Sequence, residues 1–264
     1  MRHIINLLTI IPPSLHDLLI LDNDMKALHR LLDCFEYFDD QADNKSDITS
    51  RGDDLYPFMS LLASLIDTFK LVKRYLKRII LPPLRDEVKK LPQEGKTIRN
   101  RLCKHLTSSS SELAETSALI IYLLCNKNIG RAIKYTGFGN FAGFLARHGL
   151  MNSVKDESNN KSDSSVSEDD DYQNICDSVN PVTGRWEPDF LKRSKELFAD
   201  MSEEQKEFEV MNLVEKIDQL QKHGLIQPGT IGENGSVKPV NHILELIENA
   251  PSKLIKEIHN SDSE

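Results

Sequence analysis

Apolar residues recur at spacings of three and four along residues 1–151, which is the spacing of one buried face of an α-helix. Residues 24–38 give the clearest case, with apolar positions at Leu28, Leu31, Leu32, Phe35 and Phe38. Pro-Pro pairs at 12–13 and 82–83 end two other stretches, because proline does not continue a helix. Since no segment alternates with a period of two, the pattern predicts an all-α protein.

The same pattern divides residues 1–151 into successive helices. Helices are predicted over 4–11, 15–21, 24–38, 56–80 and 95–107, with the polar stretch 39–54 as a loop. Ser109 and Glu112 have capping-box spacing before the next helix, and Asn128 is expected to cap the one after it. Helices joined in this way favour part of an α-solenoid of armadillo or HEAT type over 1–151, with a helical bundle as the alternative.

The remainder of the chain has a different composition. Residues 152–180 are rich in Ser, Asp and Asn and lack a core pattern, which predicts an acidic disordered linker. A helical segment is predicted over 181–258, before an acidic tail at 259–264. Within it, Ser202 and Gln205 form a capping box, Gly224 is expected to end that helix in a Schellman motif, and 241–258 forms a last amphipathic helix. The apolar stripe of the first of these helices is Val210, Leu213, Val214, Ile217 and Leu220.

Composition excludes several classes of protein. A chain of 264 residues, 39% hydrophobic and 28% charged, can bury a core. It has no apolar run of about 18 residues that would span a bilayer. MRHIINLLTI at the N-terminus is predicted to be a core helix rather than a signal peptide. The four cysteines and eight histidines are scattered, which argues against disulfides and metal sites and for a reducing cytosol.

The net charge of −8 is unevenly distributed. Residues 1–151 carry 21 Lys and Arg against 17 Asp and Glu, a balance of +4. Residues 152–180 carry 2 against 8 and residues 181–264 carry 10 against 16, so each of these segments contributes −6. The chain therefore has a mildly basic first part and an acidic second part.

A basic helix stands out at residues 70–80. Its cations recur at spacings of three and four and so share one face: Lys70, Lys73, Arg74, Lys77 and Arg78. Such a face is a solvated surface, a site for an acidic protein partner or a site for nucleic acid. The acidity of the whole chain and the lack of interleaved aromatic residues beyond Tyr75 disfavour nucleic acid.

Three glycines, Gly137, Gly139 and Gly143, have a spacing close to a dinucleotide-binding fingerprint. That fingerprint needs a strand before the glycine turn, whereas a helical pattern precedes Gly137. We therefore predict a turn between two helices, with Gly143 allowing close helix approach. We expect no cofactor, and because no nucleophile and base stand out, no catalytic residue and no enzyme activity.

The linker contains serines followed by acidic residues, as acidophilic kinases require. Ser167 precedes Glu168, Asp169 and Asp170, and Ser165 has Glu168 three residues on. A phosphate adds a charge of about −1.5 to −2. We therefore expect an acidophilic kinase to be a partner of this linker.

Four stretches resemble one family and follow in its order: 80–107, RAIKYTGFGNFAGFLARHGLM at 131–151, VNPVTGRW at 179–186 and 201–220. They are similar to synembryn, the "resistance to inhibitors of cholinesterase eight" family. The resemblance implies an armadillo/HEAT-like solenoid, an acidic linker and C-terminal helices. It also implies a cytoplasmic protein, extending to the cell cortex, that acts in G-protein coupled receptor signalling. Its implied function is that of a folding chaperone and non-receptor guanine nucleotide exchange factor for G-protein α subunits.

The resemblance also implies roles for regions of this chain. The family holds the C-terminal helix of the α subunit in the solenoid groove and braces its Ras-like domain with the C-terminal helices, so membranes are reached only through the G protein. The candidate contact residues, chosen on charge and amphipathicity, are Lys73, Lys77, Arg99, Lys134, Tyr135, Phe208, Met211 and Val214. Candidate phosphorylation sites are Ser162, Ser165 and Ser167, of which Ser162 and Ser167 match the family's positions. Phosphates there are expected to bind basic surfaces such as Lys89 and Lys90.

One departure from the family is large, because the chain begins where the family's solenoid is about half complete. Solenoids need capping repeats, so the first helices are expected to expose apolar surface and to weaken binding of the α subunit. We therefore expect a fragment, a truncated gene product or a shortened paralogue. An armadillo-type scaffold that binds peptides without promoting nucleotide exchange is the alternative function.

Overall fold

The computed structural model describes residues 2–12, 25–43, 48–84, 86–153, 178–188, 196, 199 and 201–245. These residues are mostly helical, so the all-α prediction is confirmed, although a short hairpin is present that the pattern did not predict. The described helices are α1 Arg2–Ile10, α2 Lys26–Asp43, α3 Ile48–Thr68, α4 Lys70–Ile80, α5 Ile98–His105, α6 Ser111–Leu124, α7 Ile129–Thr136, α8 Phe138–Arg147 and α9 Glu203–Lys222. A 3-10 helix lies at Asp86–Lys89, and the hairpin strands are β1 Gly229–Ile231 and β2 Val237–Pro239.

The chain forms two compact units. The first contains residues 1–145 and 154–188, and the second contains residues 146–153 and 189–264. The predicted helix at 15–21, nearly all of the predicted linker and the tail beyond 245 lie outside the described residues. The predicted boundaries of the solenoid at residue 151 and of the linker at residue 180 stay predictions.

Two long helices, α3 and α6, form the centre of the first unit. Helix α3 packs against α1, α2, α4 and α6, while α6 also packs against α4, α5 and α7. Side chains such as Phe35 on α2, Phe58 on α3 and Ile121 on α6 are fully buried between them. Helices that are near one another in the chain thus pack together, as they do in the α-solenoid expected from the sequence.

The predicted loop at 39–54 is wrong at both ends. Helix α2 continues to Asp43 and α3 begins at Ile48, so most of this polar run is helical. At the start of this run, Asp39 is helical and buried rather than in a loop. Its side chain is only 1% exposed and contacts side chains of α5. The predicted helix over 56–80 is instead two helices, because Phe69 takes an extended conformation between them.

Asp39 is the centre of a buried ionic contact between α2 and α5. Its Oδ1 lies 2.8 Å from Nε2 of His105, and its Oδ2 accepts a hydrogen bond of 2.7 Å from Arg101. Arg101 also contacts Asp40 at 2.7 Å and donates to the carbonyl of Lys96 at 3.2 Å. Burial acts to raise the pKa of Asp39, but the hydrogen bonds from His105 and Arg101 outweigh it, so the pKa lies below its ordinary value.

Helix α1 leaves apolar surface exposed. Ile5 is buried, whereas Ile4, Leu7, Ile10 and Ile11 are exposed, with Ile10 at 78%. The expectation that the first helical pair exposes apolar surface is confirmed for its first helix, and the second, predicted at 15–21, lies outside the described residues. None of the described helices is long and apolar enough to cross a membrane.

The described part of the second unit contains α9 and the hairpin beside residues 146–153. Both predicted ends of α9 are confirmed: Ser202 and Gln205 form the capping box, and Gly224, at φ +69°, ends the helix. The amide N–H of Leu225 donates to the carbonyl of Leu220 and that of Gly224 to Gln221, which is the Schellman pair. The hairpin after it contacts residues 149–152, where the Asn152 side chain donates to the carbonyls of Gly232 and Glu233.

Replacing the buried carboxylate tests the contact between α2 and α5. We expect Asp39→Asn to lower the free energy of unfolding at pH 7 by about 3 kcal/mol, because two buried cationic or polar partners lose their anion. The matched change Asp40→Asn, at a side chain 62% exposed, should cost less than about 1 kcal/mol. Urea unfolding followed by circular dichroism measures both values.

The pH dependence of that difference has a defined sign. A carboxyl group with a lowered pKa in the folded state stabilises the fold above its unfolded pKa of about 3.9. This contribution is lost as the pH falls through the lower folded pKa. The stability difference between wild type and Asp39→Asn should therefore shrink below about pH 4, and an unchanged difference from pH 7 to pH 3 would contradict the assignment.

Candidate functional site

Cationic side chains from two helices converge near the C-terminal end of α6. Lys73 and Lys77 come from α4, and Arg131 and Lys134 come from α7. All four lie close enough to Cys125, the C-cap residue of α6, to act electrostatically on its thiol. We call these four residues and the adjacent Lys127 the basic cluster.

The pKa values in this region reflect both burial and mutual repulsion. Burial raises the pKa of the Cys125 thiol to about 12, against the opposing effect of the four cations. For Lys73, burial and the nearby charges of Lys127 and Lys77 lower the pKa, while Asp67 acts in the opposite direction. Cations that repel one another at a protein surface favour binding of an anion, because a shared anion relieves the repulsion.

Asp67 is one acidic group that lies beside the basic cluster. Its Oδ1 lies 3.7 Å from Nζ of Lys127, and both side chains are 61% exposed. An exposed pair at this distance is weak. The outer cations of α4, namely Lys70, Arg74 and Arg78, are exposed on the same helix.

The candidate contact residues of the first unit do not all reach this surface. Lys73, Lys77 and Lys134 lie in the basic cluster and are partly exposed. Arg99 and Tyr135 are buried, and both lie against Cys103, whose Sγ donates to the Tyr135 carbonyl at 3.8 Å. The assignment of all five residues to a partner stays a prediction.

Sequence periodicity did not add Lys127 and Arg131 to this group. Periodicity along α4 identifies the cations of a single helix, but α7 is about 55 residues further along the chain. The available signal was the repeat of cations on α7, Arg131 and Lys134 at a spacing of three, which puts both on one helical face. Only the fold shows that α4 and α7 both pack against α6, so that cations of both helices lie near Cys125.

The glycine motif forms a turn, as predicted, and the turn binds another segment of the chain. Gly137, at φ +77°, separates α7 from α8. Residues 178–188, which we call the strap, pack against it. The amide N–H of Phe138 donates to the carbonyl of Pro181 at 2.8 Å, and that of Gly139 donates to Val182 at 2.9 Å. The N-terminal amides of α8 are thus bonded to peptide carbonyls.

Two glycines make this close packing possible. A Cβ atom on Gly137 would lie 2.7 Å from the backbone carbon of Thr183, which real Cβ atoms do not tolerate. Gly184 of the strap, at φ +71°, lies against Gly137 itself, since its Cβ would be 3.1 Å from the Gly137 nitrogen. Gly143, in contrast, has nothing within 4 Å of a Cβ position, so the prediction of close helix approach there is wrong.

The strap is also held at its ends. Val179 is buried and pairs with Trp186 in an isolated β-bridge. The amide N–H of Trp186 donates to the carbonyl of Val88 at 2.6 Å, and that of Glu187 donates to Ser178 at 2.6 Å. The strap is therefore a closed turn with defined contacts to the helices of the first unit.

Helix α9 exposes apolar side chains on two sides. Phe208 and Met211 are 69% and 61% exposed, whereas Val214 is buried. At 100° per residue, Phe208 lies opposite the predicted stripe that contains Val214 and Leu213. The structure therefore places the three candidate contact residues of α9 on two different faces.

Phe208 also contributes to an open groove of about 460 Å³. Its lining combines apolar and acidic side chains: Met201, Glu204, Gln205, Phe208 and Glu209. An apolar floor with an acidic rim suits a partner surface that has an apolar side chain beside basic groups.

The remaining candidate residues lie outside the described part of the chain. Ser162, Ser165 and Ser167 are in this position, so the phosphorylation sites stay predictions. Among the described residues, no group of three His, Cys, Asp or Glu could hold a metal ion.

Comparison with known proteins gives a consistent result. The family described as guanine nucleotide exchange factor synembryn (Ric8) matches residues 1–236. The chain is 41% identical over 209 residues to the chaperone ric-8 of Caenorhabditis elegans, covering 79% of this chain and 36% of that protein. It is 40% identical over 200 residues to Chaperone Ric-8 of Drosophila melanogaster, covering 75% and 34%. Against Chaperone Ric-8A of Gallus gallus it is 32% identical over 273 residues, covering 99% and 47%. The chain thus spans about a third to a half of the length of these relatives.

Alanine at two glycines tests the contact between the turn and the strap. We expect Gly137→Ala to lower the free energy of unfolding by about 2 kcal/mol or more, because it adds strain at positive φ to a backbone clash. Gly143→Ala is the matched control and should be neutral or stabilising by up to about 1 kcal/mol, since it places alanine in an exposed helical position. Equal effects in urea unfolding would contradict the packing described for Gly137.

Proposed function

Since this chain belongs to the synembryn family of guanine nucleotide exchange factors, we propose that it is a non-receptor exchange factor and folding chaperone for heterotrimeric G-protein α subunits. It acts in the cytoplasm, extending to the cell cortex, and reaches membranes only through the G protein. The exchange reaction makes and breaks no covalent bond, so the protein needs no catalytic residue and no cofactor. The observation that carries the proposal is the family match over residues 1–236.

The mechanism follows from differential binding. A protein that binds the nucleotide-free α subunit more tightly than the GDP-bound form must weaken GDP binding by the same factor. A ten-thousandfold effect requires a difference in binding free energy of about 5.5 kcal/mol between the two states. The same preference stabilises the open, nucleotide-free subunit, which is what a folding chaperone for this protein has to do.

Helix α9 supplies a surface suited to this binding. Its capping box and Schellman motif satisfy polar groups at both ends, so the helix is stabilised locally. Among its described residues only Val214 is buried. Phe208 and Met211 are therefore available, and apolar anchors of this kind provide most of the free energy of protein association.

The basic cluster has a different role in the proposal. It binds the acidic linker when the linker carries phosphate at Ser162, Ser165 or Ser167. Ser167 is 11 residues from Ser178, the first residue of the strap, a length that extends at most about 35 to 40 Å. A phosphate restricted to that distance from the first unit has a high effective concentration at a cationic surface. Ordering of the linker in this way limits the positions that α9 can take, which favours productive binding of the α subunit.

GDP release from a purified α subunit tests the role of α9. We expect Phe208→Ala combined with Met211→Ala to reduce the acceleration of GDP release by at least tenfold, because two exposed anchors are removed. The fold should be unaffected, since both side chains are exposed. Val237→Ala, an exposed apolar residue of the hairpin, is the control and should retain wild-type activity.

The same assay separates the proposed function from a scaffold. The chain is compared with a version extended to the length of its relatives. Acceleration by either version supports an exchange factor. Binding of the α subunit by both versions with no change in GDP release would favour the armadillo-type scaffold instead.

Charge substitutions test the linker contact. Phosphorylation by an acidophilic kinase should increase GDP release, and we expect Ser162→Ala with Ser165→Ala and Ser167→Ala to abolish that increase. Lys73→Gln with Lys134→Gln should abolish the increase as well. A variant that combines the serine and lysine substitutions should release GDP no more slowly than either set alone, because both sets remove the same contact between phosphate and lysine. The increase should weaken at high salt.

A second pair of lysines distinguishes the two basic surfaces. Lys89 and Lys90 are exposed and lie outside the basic cluster. If Lys89→Gln with Lys90→Gln removes the effect of phosphorylation and the cluster variant does not, the phosphates bind at Lys89 and Lys90 and the cluster assignment is wrong.

A further inference from the structure

Helix α7 is shared by the basic cluster and the strap. This eight-residue helix carries Arg131 and Lys134 of the cluster, and Gly137, which follows it directly, contacts the strap. Its other face is buried through Ile129, Ala132 and Tyr135. A change at one end of so short a rigid element changes the position of the whole helix.

The end of α7 is held by a small set of polar contacts in addition to the strap. The Asn140 side chain donates to the Thr136 carbonyl at 2.8 Å and to Gln93 at 3.2 Å. The strap adds the bonds from Phe138 and Gly139 and the backbone packing of Gly184 against Gly137. These strap contacts involve backbone atoms, so they fix the turn with little freedom for side-chain rearrangement.

We propose that the strap is a latch that positions α7, so that docking of the strap and binding of an anion at the basic cluster favour each other. The latch rests on the proposed function, because it takes the basic cluster to be the site of the linker phosphates. With the strap docked, α7 holds Arg131 and Lys134 near Cys125, on which Lys73 and Lys77 of α4 also act. With the strap released, α7 loses its constraint at Gly137 and the cluster loses its geometry.

Reciprocity makes the latch measurable from both directions. If strap docking strengthens anion binding by some factor, anion binding strengthens strap docking by the same factor. Couplings of this kind amount to about fivefold or more in affinity. The strap should therefore become less mobile when an anion binds at a site that it does not touch.

The chain contains its own reporter for the strap. Trp186 is the single tryptophan of the sequence and is 42% exposed. Its amide is bonded to the Val88 carbonyl, so its environment changes when the strap leaves the first unit. Quenching of tryptophan fluorescence by acrylamide then reports strap release without an added label.

The probe is a synthetic peptide of residues 158–172 that carries phosphate at Ser162 and Ser167. It is added to the full, unphosphorylated chain, and its affinity is measured by fluorescence anisotropy of a dye on the peptide. We expect the peptide to protect Trp186 from acrylamide in the wild-type chain. We expect Gly184→Ala, which removes the strap contact without altering α7, to increase quenching and to weaken peptide binding at least about fivefold.

Two further variants keep the result interpretable. Gly143→Ala is the matched glycine control and should leave both quenching and peptide affinity unchanged, since its Cβ meets nothing. Val179→Ala removes a buried strap side chain and should weaken the strap by a different contact. It replaces Gly184→Ala if that variant loses helical circular dichroism.

The outcomes separate the latch from the function on which it rests. If a strap variant shows increased quenching but binds the peptide with wild-type affinity, the latch is overturned and the basic cluster stands. Absence of protection of Trp186 by bound peptide also overturns the latch. If Lys73→Gln with Lys134→Gln binds the peptide as tightly as wild type, the basic cluster is the wrong site and the proposed role of the linker phosphates fails.

Discussion

The contact between the backbones of Gly137 and Gly184 is the constraint on which the end of the first unit depends. Neither residue can carry a Cβ atom in the observed geometry, and both adopt positive φ. Their contact brings a distant segment of the chain onto the turn between α7 and α8. The strap carbonyls then satisfy amides at the start of α8 that would otherwise need water or a side-chain cap. Glycine spacing that suggested a nucleotide site thus serves to bind the protein's own backbone.

The two units are stabilised in different ways. In the first, α3 and α6 are buried between neighbouring helices, and an ionic contact at Asp39 joins α2 to α5. In the second, both ends of α9 are capped, and among the described residues one side chain of the helix is buried. The first unit therefore provides a rigid surface with converging charges, and the second provides an exposed helix for a partner.

Local signals in the sequence predicted the structure where a few neighbouring residues determine it. The caps at Asn128 and at Ser202 with Gln205, and the Schellman end at Gly224, are of this kind.

The cap of α6 is Ser110 rather than Ser109, because a run of four serines does not fix the register. The capping box of α5 uses Thr97 with Asn100, whereas the sequence pattern requires Glu or Gln at that position. The hairpin did have a signal, since Asn234-Gly235 between two short strands is a typical hairpin turn.

Features that depend on tertiary packing could not be predicted in this way. The polar run at 39–54 looked like a loop because a buried carboxylate is indistinguishable in sequence from an exposed one. The basic cluster required knowledge that α4 and α7 both pack against α6. For the candidate site, the residues chosen from the sequence include Phe208 and Met211, which are exposed, and three cations of the basic cluster, and their role in binding stays a prediction. The sequence showed neither the strap contact nor the burial of Arg99.

The way α9 is stabilised has a consequence for how this protein can diverge. Because residues on its exposed faces bury little surface, they can be exchanged with little effect on folding. Selection on those residues can then act on partner choice alone. Under the proposed function, a few substitutions on this one helix are enough to change partner preference while the fold of the rest of the protein stays unchanged.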